Sequence, residues 1–186
     1  MNKLALVLIS LALSYSSTLH AEDKTHTLSG GYIYGKIKGD TAKGEIISYR
    51  YEAENAWGIL ISLLHLNSYH KEYFIDPRFT TPSAVNYRTK TIGLLIGPTY
   101  RITPEISVYA QMGPNKLKHQ EDKYHLEINT TDSHIVNTTS VIGQIGIDYN
   151  PIKNISFSLG YLYSDTTANK RHIELSALQL SLGFHF

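Results

Sequence analysis

"LQLSLGFHF" runs from Leu178 to Phe186. Leu178, Leu180, Leu182, Phe184 and Phe186 fall on one side of an extended chain, and Gln179, Ser181, Gly183 and His185 fall on the other. Strict alternation of this kind is the period of a β-strand whose two faces meet different surroundings. An extended segment needs partners for its backbone N–H and C=O groups. The rest of the chain must therefore supply strands, and something apolar must meet the leucine face.

Seven further runs alternate in the same way. They are "HTLSGGYIYG", "EIISYRYE", "WGILISLLHL", "TKTIGLLIGPTYRI", "ISVYAQM", "SVIGQIGIDY" and "NISFSLGYLYS". Their apolar faces carry, among others, Tyr32 and Tyr34, Ile47 and Tyr49, Ile59 and Ile61, Leu94 and Ile96, Val108 and Met112, Ile145 and Ile147, and Phe157 and Leu159. The opposite faces are small or polar: Ser29, Ser48, Arg50, Ser62, Thr99, Gln111, Gln144, Asp148 and Ser158 are examples. Leu60, Leu64, Leu95 and Leu162 break the pattern by falling on the polar face. Nothing after Ala21 has a helical period.

The first 21 residues stand apart. Lys3 precedes the apolar run "LALVLISLAL", and small residues follow up to Ala21, the tripartite pattern of a secretory signal peptide. The run is too short for a spanning helix, which needs ~20 apolar residues. Removing residues 1–21 takes away one lysine and no acid, leaving equal numbers of basic and acidic residues. That balance gives no reason to expect a nucleic-acid partner. The chain has no cysteine, which excludes disulfides, thiolate metal sites and a cysteine nucleophile.

The connectors between the runs are unequal. "AENA", "TPE" and "NPIK" are short. "KIKGDTAK", the stretches from Asn67 to Arg88 and from Gly113 to Asn137, and "DTTANKRH" are long, and all fall at the other end. A soluble carrier barrel would also alternate, with its apolar face inward. Export, polarised loops and aromatics at the strand ends favour the reverse sense, an apolar face turned to lipid. Tyr49, Tyr51, Trp57, Tyr100, Tyr149 and Phe186 lie near the short turns, and Tyr32, Tyr34, Tyr161 and Tyr163 near the long ones.

The expected fold is all-β: an eight-stranded antiparallel transmembrane β-barrel over residues 22–186, with short periplasmic turns, longer extracellular loops and a monomeric state. The last strand must close on the first, because an open edge in hydrocarbon leaves backbone groups unsatisfied. A barrel of eight strands is filled by side chains rather than water. Arg50 and Glu52 would point into that interior, with Arg101 and Asp148 available to complete a polar network, since an unpaired buried charge is too costly.

Four stretches resemble the Ail/Lom family of enterobacterial outer-membrane proteins, which includes outer membrane protein X. They are "SGGYIYGKIKG", "GEIISYRYEAEN", "IGLLIGPTYRITPEISVYAQMG" and the terminal "LQLSLGFHF". Gly97, Pro98, Tyr100 and Arg101 are the most specific piece, followed by Tyr49 to Glu52. The resemblance implies an outer-membrane barrel and, for several members, host-cell adhesion, invasion and resistance to complement. It implies lipid and lipopolysaccharide as surroundings, and extracellular-matrix or complement-regulatory proteins as partners. Phe186 resembles the terminal aromatic that the outer-membrane assembly machinery recognises. The chain departs from the family at "GPNKLKHQ" and at His185, and the first departure falls in a loop where binding specificity would reside.

Candidate sites follow from this reading. His70, His119, His125, His134 and His172 are read as solvated loop residues, because no pair has the tight spacing of metal ligands. No motif places a nucleophile beside a base, so neither an enzyme nor a cofactor is expected. Asn129, Asn137 and Asn154 begin Asn-x-Ser/Thr triplets, which carry no meaning in a bacterial barrel. The expected binding surface lies in the long loops: Tyr73, Phe74 and Phe79 as aromatic anchors, with Lys116, Lys118, Lys170 and Arg171 as charges. Basic groups near the membrane also suit lipopolysaccharide phosphates. A host-interaction protein is the first functional reading, a structural barrel without a specific partner the second, and a lipid-A-modifying enzyme a distant third.

Overall fold

The structure is a computed structural model that describes residues 26–74, 83–125, 130–152, 154–168 and 171–186. Eight strands follow one another: β1 (His26–Ile37), β2 (Asp40–Glu52), β3 (Trp57–Phe74), β4 (Ser83–Arg101), β5 (Ile106–His125), β6 (Thr130–Ile152), β7 (Ile155–Ala168) and β8 (Arg171–His185). Each pairs antiparallel with the next, and β8 pairs with β1 from Thr27↔His185 to Ile37↔Leu175, closing the barrel. Closure leaves no edge along the paired height of the wall.

The alternation of the sequence becomes the two surfaces of the wall. Leu178, Leu180, Leu182 and Phe184 are exposed on the outside, as are Ile59, Leu63, Leu94, Ile145 and Leu159 on other strands. Their neighbours Gln179, Ser62, Leu95, Gln144 and Ser158 are buried inside. An apolar belt of this extent, wrapped around a closed sheet, is the surface that hydrocarbon stabilises. The belt is bounded at the lower end, where β2 meets β3, by Trp57 and Tyr100, whose rings lie 4.9 Å apart. Tyr34 and Tyr161 both stand opposite Leu178 and mark the upper boundary.

Inside, the lumen is layered. Its lower half is polar. Its upper half holds an apolar plug that includes Ile33, Ile46, Leu66, Ile142 and Leu175. Leu64, Leu95 and Leu162 belong to this plug, and Leu60 is buried just below it. These are the four leucines that broke the sequence pattern. They break it because a narrow lumen is itself a core and needs side chains to fill it.

The strands are longer than the alternation suggests. β3 to β6 have 18, 19, 20 and 23 residues, against 12 to 15 for the other four. The stretches expected as long loops are largely paired: Asn67↔Lys90 continues to Phe74↔Ser83, and Gly113↔Ile142 continues to His125↔Thr130. Ladder pairing between β2 and β3 ends at Ala42↔Ser68, and between β6 and β7 at Gly143↔Tyr163. β3 to β6 therefore rise past their neighbours as a four-stranded sheet. Above the belt the outward side chains meet water instead of lipid and turn polar, so the backbone ladder persists while the apolar alternation that reveals it disappears.

"KIKGDTAK", also expected as a long connector, is instead a tight hairpin. Only Lys38 and Gly39 separate β1 from β2, with φ of 54° and 87°. Positive φ at both central residues is the two-residue turn whose twist matches its strands. "DTTANKRH" is likewise mostly strand, with Ala168 opposite Arg171.

Candidate functional site

The lower lumen gathers four charges. Arg50 Nη1 donates to Asp148 Oδ2 at 2.6 Å, and Arg101 Nη2 donates to Glu52 Oε2 at 2.7 Å. Arg50 Nε lies 3.5 Å from Glu52 Oε1, which joins the two pairs into one neutral quartet. Ser158 donates to Asp148, and Ser107 donates to Glu52 at 3.3 Å. The sequence gives the reason for this convergence. Arg50 and Glu52 are two apart on β2, so both face inward, and Asp148 on β6 reaches Arg50 across the lumen. Two positive and two negative side chains in contact avoid an unpaired charge in a water-poor interior.

The second half of this network is not legible from alternation alone. Tyr109 on β5 donates its hydroxyl to Gln179 Oε1 at 2.9 Å, and Gln144 donates to both Tyr109 and Gln179. Ser62 donates to Gln111 Oε1 at 2.9 Å, and Gln111 Nε2 donates to the Leu60 carbonyl. The sequence carries a signal for Tyr109: it is a bulky aromatic on an inward face, while Gly146 and Gly160 stand opposite each other on β6 and β7. His185, a departure from the family pattern in sequence, also joins the lumen. It is buried, with Nδ1 2.7 Å from the Thr27 hydroxyl and Nε2 3.1 Å from Asn150. The cavity among these groups measures about 10 Å³, room for about one water.

The upper end holds the other polar chemistry. His70 Nδ1 lies 3.1 Å from Asp40 Oδ1, and the Tyr87 ring lies between those of His70 and His119, at 6.3 and 5.9 Å. His119 Nδ1 sits 2.8 Å from the Thr89 hydroxyl. His70 and His119 are thus strand residues with partners, not solvated loop residues. His125, His134 and His172 also lie on strands, β5, β6 and β8. Among the described residues no group of three or more metal-ligating side chains occurs.

The expected loop surface is redistributed. Tyr73 and Phe74 end β3, opposite Ala84 and Ser83. Phe79 and Lys170 lie outside the described residues, as do residues 1–25, which contain the expected signal peptide. Arg171 begins β8. Lys116 and Lys118 are not in a loop: both are exposed on the outer face of β5, just above Met112 and Pro114. In sequence they look like loop residues because apolar alternation stops at Met112 while the strand does not. Phe186 is held against β1, donating its N–H to the His26 carbonyl at 2.9 Å, with the two rings 5.9 Å apart.

This closed barrel, belted by apolar residues and layered inside, is an outer-membrane architecture. Residues 4–186 match the family model for the outer membrane protein beta-barrel domain, and the chain belongs to that family. It is 23% identical to the virulence membrane protein PagC of Salmonella typhimurium over 89% of each chain. It is 24% identical to the attachment invasion locus protein of Yersinia enterocolitica, covering 94% of this chain and 88% of that one. Against outer membrane protein X of Escherichia coli it is 25% identical, over 87% and 86%. The crystal structure of Ail, the attachment invasion locus protein of Yersinia pestis, superposes with a TM-score of 0.67 at 20% identity, covering 89% of this chain and all of that one. The resemblance to the Ail/Lom family is therefore shown, and the protein resides in the outer membrane of a Gram-negative bacterium. The lower end is periplasmic, and the end with the longer strands faces outward.

Proposed function

We propose that the protein is a non-enzymatic attachment protein whose projecting sheet meets host surfaces. One observation carries the reading: β3 to β6 stay paired with one another up to Phe74↔Ser83 and His125↔Thr130, well above the level at which their pairing to β2 and β7 ends. A structural barrel requires only turns there, and a sheet of this height is more than hairpin closure needs. The sheet carries exposed Tyr69, whose hydroxyl donates to Asn86 at 3.1 Å, together with Lys71 and Arg88. Tyr73 and Phe74 lie at its tip. Aromatic anchors beside cations suit protein and glycan partners alike. Extracellular-matrix proteins, complement regulators and acidic polysaccharides are the partner classes that fit this chemistry.

The names of the relatives support the same direction. One is an attachment invasion locus protein, and the Yersinia pestis protein has a structure in complex with the heparin analogue sucrose octasulfate. The test is a variant whose β3–β4 and β5–β6 hairpins are cut down to the level of the β1–β2 turn. Cells carrying it should display the barrel at wild-type abundance and attach poorly to cultured host cells. Attachment at the wild-type level would leave the structural reading in its place.

A further inference from the structure

The apolar belt is interrupted on β2 and β3. In register across five strands stand Leu180 on β8, Tyr32 on β1, Glu45 on β2, His65 on β3 and Ile92 on β4. All five face outward and are exposed. Leu180, Tyr32 and Ile92 are belt residues, and between them sit a carboxylate and an imidazole. On β2 the outward residues Tyr51, Tyr49 and Ile47 come before Glu45, whereas on β4 Tyr100, Pro98, Ile96, Leu94 and Ile92 all come before Lys90. Among the described residues neither Glu45 nor His65 has a side-chain hydrogen bond or ion pair. Lys43, the next outward residue on β2, lies over the Tyr34 ring at 5.8 Å. A charge on the lipid face destabilises a barrel, and an ionisable residue at that depth calls for a partner.

Lipid does not supply that partner. Acyl chains have no hydrogen-bonding group, and headgroup phosphates repel Glu45. A second copy of the chain does supply it. Copies inserted in the same orientation are related by a two-fold axis along the membrane normal. With that axis between β2 and β3, β2 of one copy faces β3 of the other, and acid meets imidazole twice. We propose that the protein forms a two-fold pair in the membrane through the outer wall of β2 and β3, in place of the monomer expected from the sequence. Each copy's Glu45 lies against the other's His65. Below them Ile47 and Tyr49 of each copy pack on Leu63 and Ile61 of the other, all four exposed in the single barrel. Gly30, in register with Ile47, presents no side chain to the outer surface, and a Cβ built there meets nothing within 4 Å. Small residues beside a contact let membrane-embedded walls approach closely. The pair also sets two projecting sheets side by side, since β3 borders each of them. On the attachment reading, a host surface with repeated sites is then held twice.

The experiment places the full protein in phosphatidylcholine vesicles at rising ratios of lipid to protein. The chain has no cysteine, so a single introduced one reports a single face. Leu63→Cys should be joined to itself by a short bis-maleimide, and Leu159→Cys, on β7, should not. Energy transfer between copies labelled at Thr41→Cys measures the association. Glu45→Gln should weaken it about tenfold through the two lost contacts. Glu45→His/His65→Glu, which exchanges the two groups, should restore it. Gel migration of unheated samples shows that each variant is folded, and His65→Asn replaces Glu45→Gln if that variant does not fold. Wild-type protein that stays monomeric at every ratio overturns the proposal. So does association unchanged by Glu45→Gln, or equal joining through Leu159→Cys, which makes the contact a chance encounter. Loss of the pair in vesicles that contain lipopolysaccharide also overturns it, and makes glycolipid the occupant of this wall.

Discussion

Tyr109 on β5 reaches across the lumen to Gln179 on β8, 2.9 Å from hydroxyl to amide oxygen. The ring passes over Gly146 and Gly160. A Cβ built on Gly146 would come within 2.3 Å of the Tyr109 ring, and one on Gly160 within 2.5 Å of its hydroxyl. One aromatic side chain thus engages four consecutive strands, and two glycines are required for it to lie there. Gly160→Ala should destabilise the barrel by about 1–3 kcal/mol through overpacking. Tyr109→Ala should cost about 3–5 kcal/mol through the cavity left behind, and Tyr109→Phe about 1 kcal/mol for the lost hydrogen bond. Urea unfolding in micelles measures all three. Equal stability of Gly160→Ala and wild type would show that the ring does not depend on the glycine.

The charge quartet makes a second comparison. Asp148→Asn leaves Arg50 without its closest carboxylate and should cost about 3–5 kcal/mol. Arg50→Met/Asp148→Leu removes the pair together and keeps Arg101 on Glu52, so most of that loss should return. A double variant less stable than Asp148→Asn would contradict the pairing described here.

The apolar plug predicts electrical silence. Ile33, Leu95 and Leu162 are fully buried in the upper lumen, so ions have no hydrated path through it. Planar bilayers containing the protein should show no conductance steps. Discrete steps at neutral pH would mean that the plug opens.

The β1–β2 turn can be improved. Lys38 occupies a positive-φ position that asparagine tolerates better, and Gly39 follows it with φ of 87°. Lys38→Asn should stabilise by about 0.5–1 kcal/mol, while Gly39→Ala should destabilise by about 1 kcal/mol. Unfolding midpoints of the two variants should move in opposite directions.

Phe186 is expected to act during assembly more than in the finished barrel. Its ring rests on His26 at the periplasmic boundary, and its removal should cost at most a few kcal/mol. Deleting it should lower outer-membrane insertion in cells while refolding in micelles stays nearly complete. Equal surface levels would remove the assembly role.

The sequence by itself determined the wall of this protein. Alternation from Leu178 to Phe186 and in seven other runs set the strands, the lipid-facing side and the need for closure, because a period of two leaves each strand one apolar face and hydrocarbon forbids an open edge. It also placed Arg50 and Glu52 inside. Tertiary structure alone decided what lies where alternation ends or fails. Leu64, Leu95 and Leu162 are anomalies on single strands and become a plug only when the strands close around a common axis. Tyr109, Gln179, Gly146 and Gly160 meet across β5 to β8, a relation that no spacing along the chain encodes. Lys116 and Lys118 look like loop charges in sequence, yet pairing with β4 and β6 puts them on the outer wall beside Lys90. Above the belt the outer face meets water rather than hydrocarbon, so its side chains are no longer apolar, and there the backbone ladder rather than the pattern of side chains marks the strand.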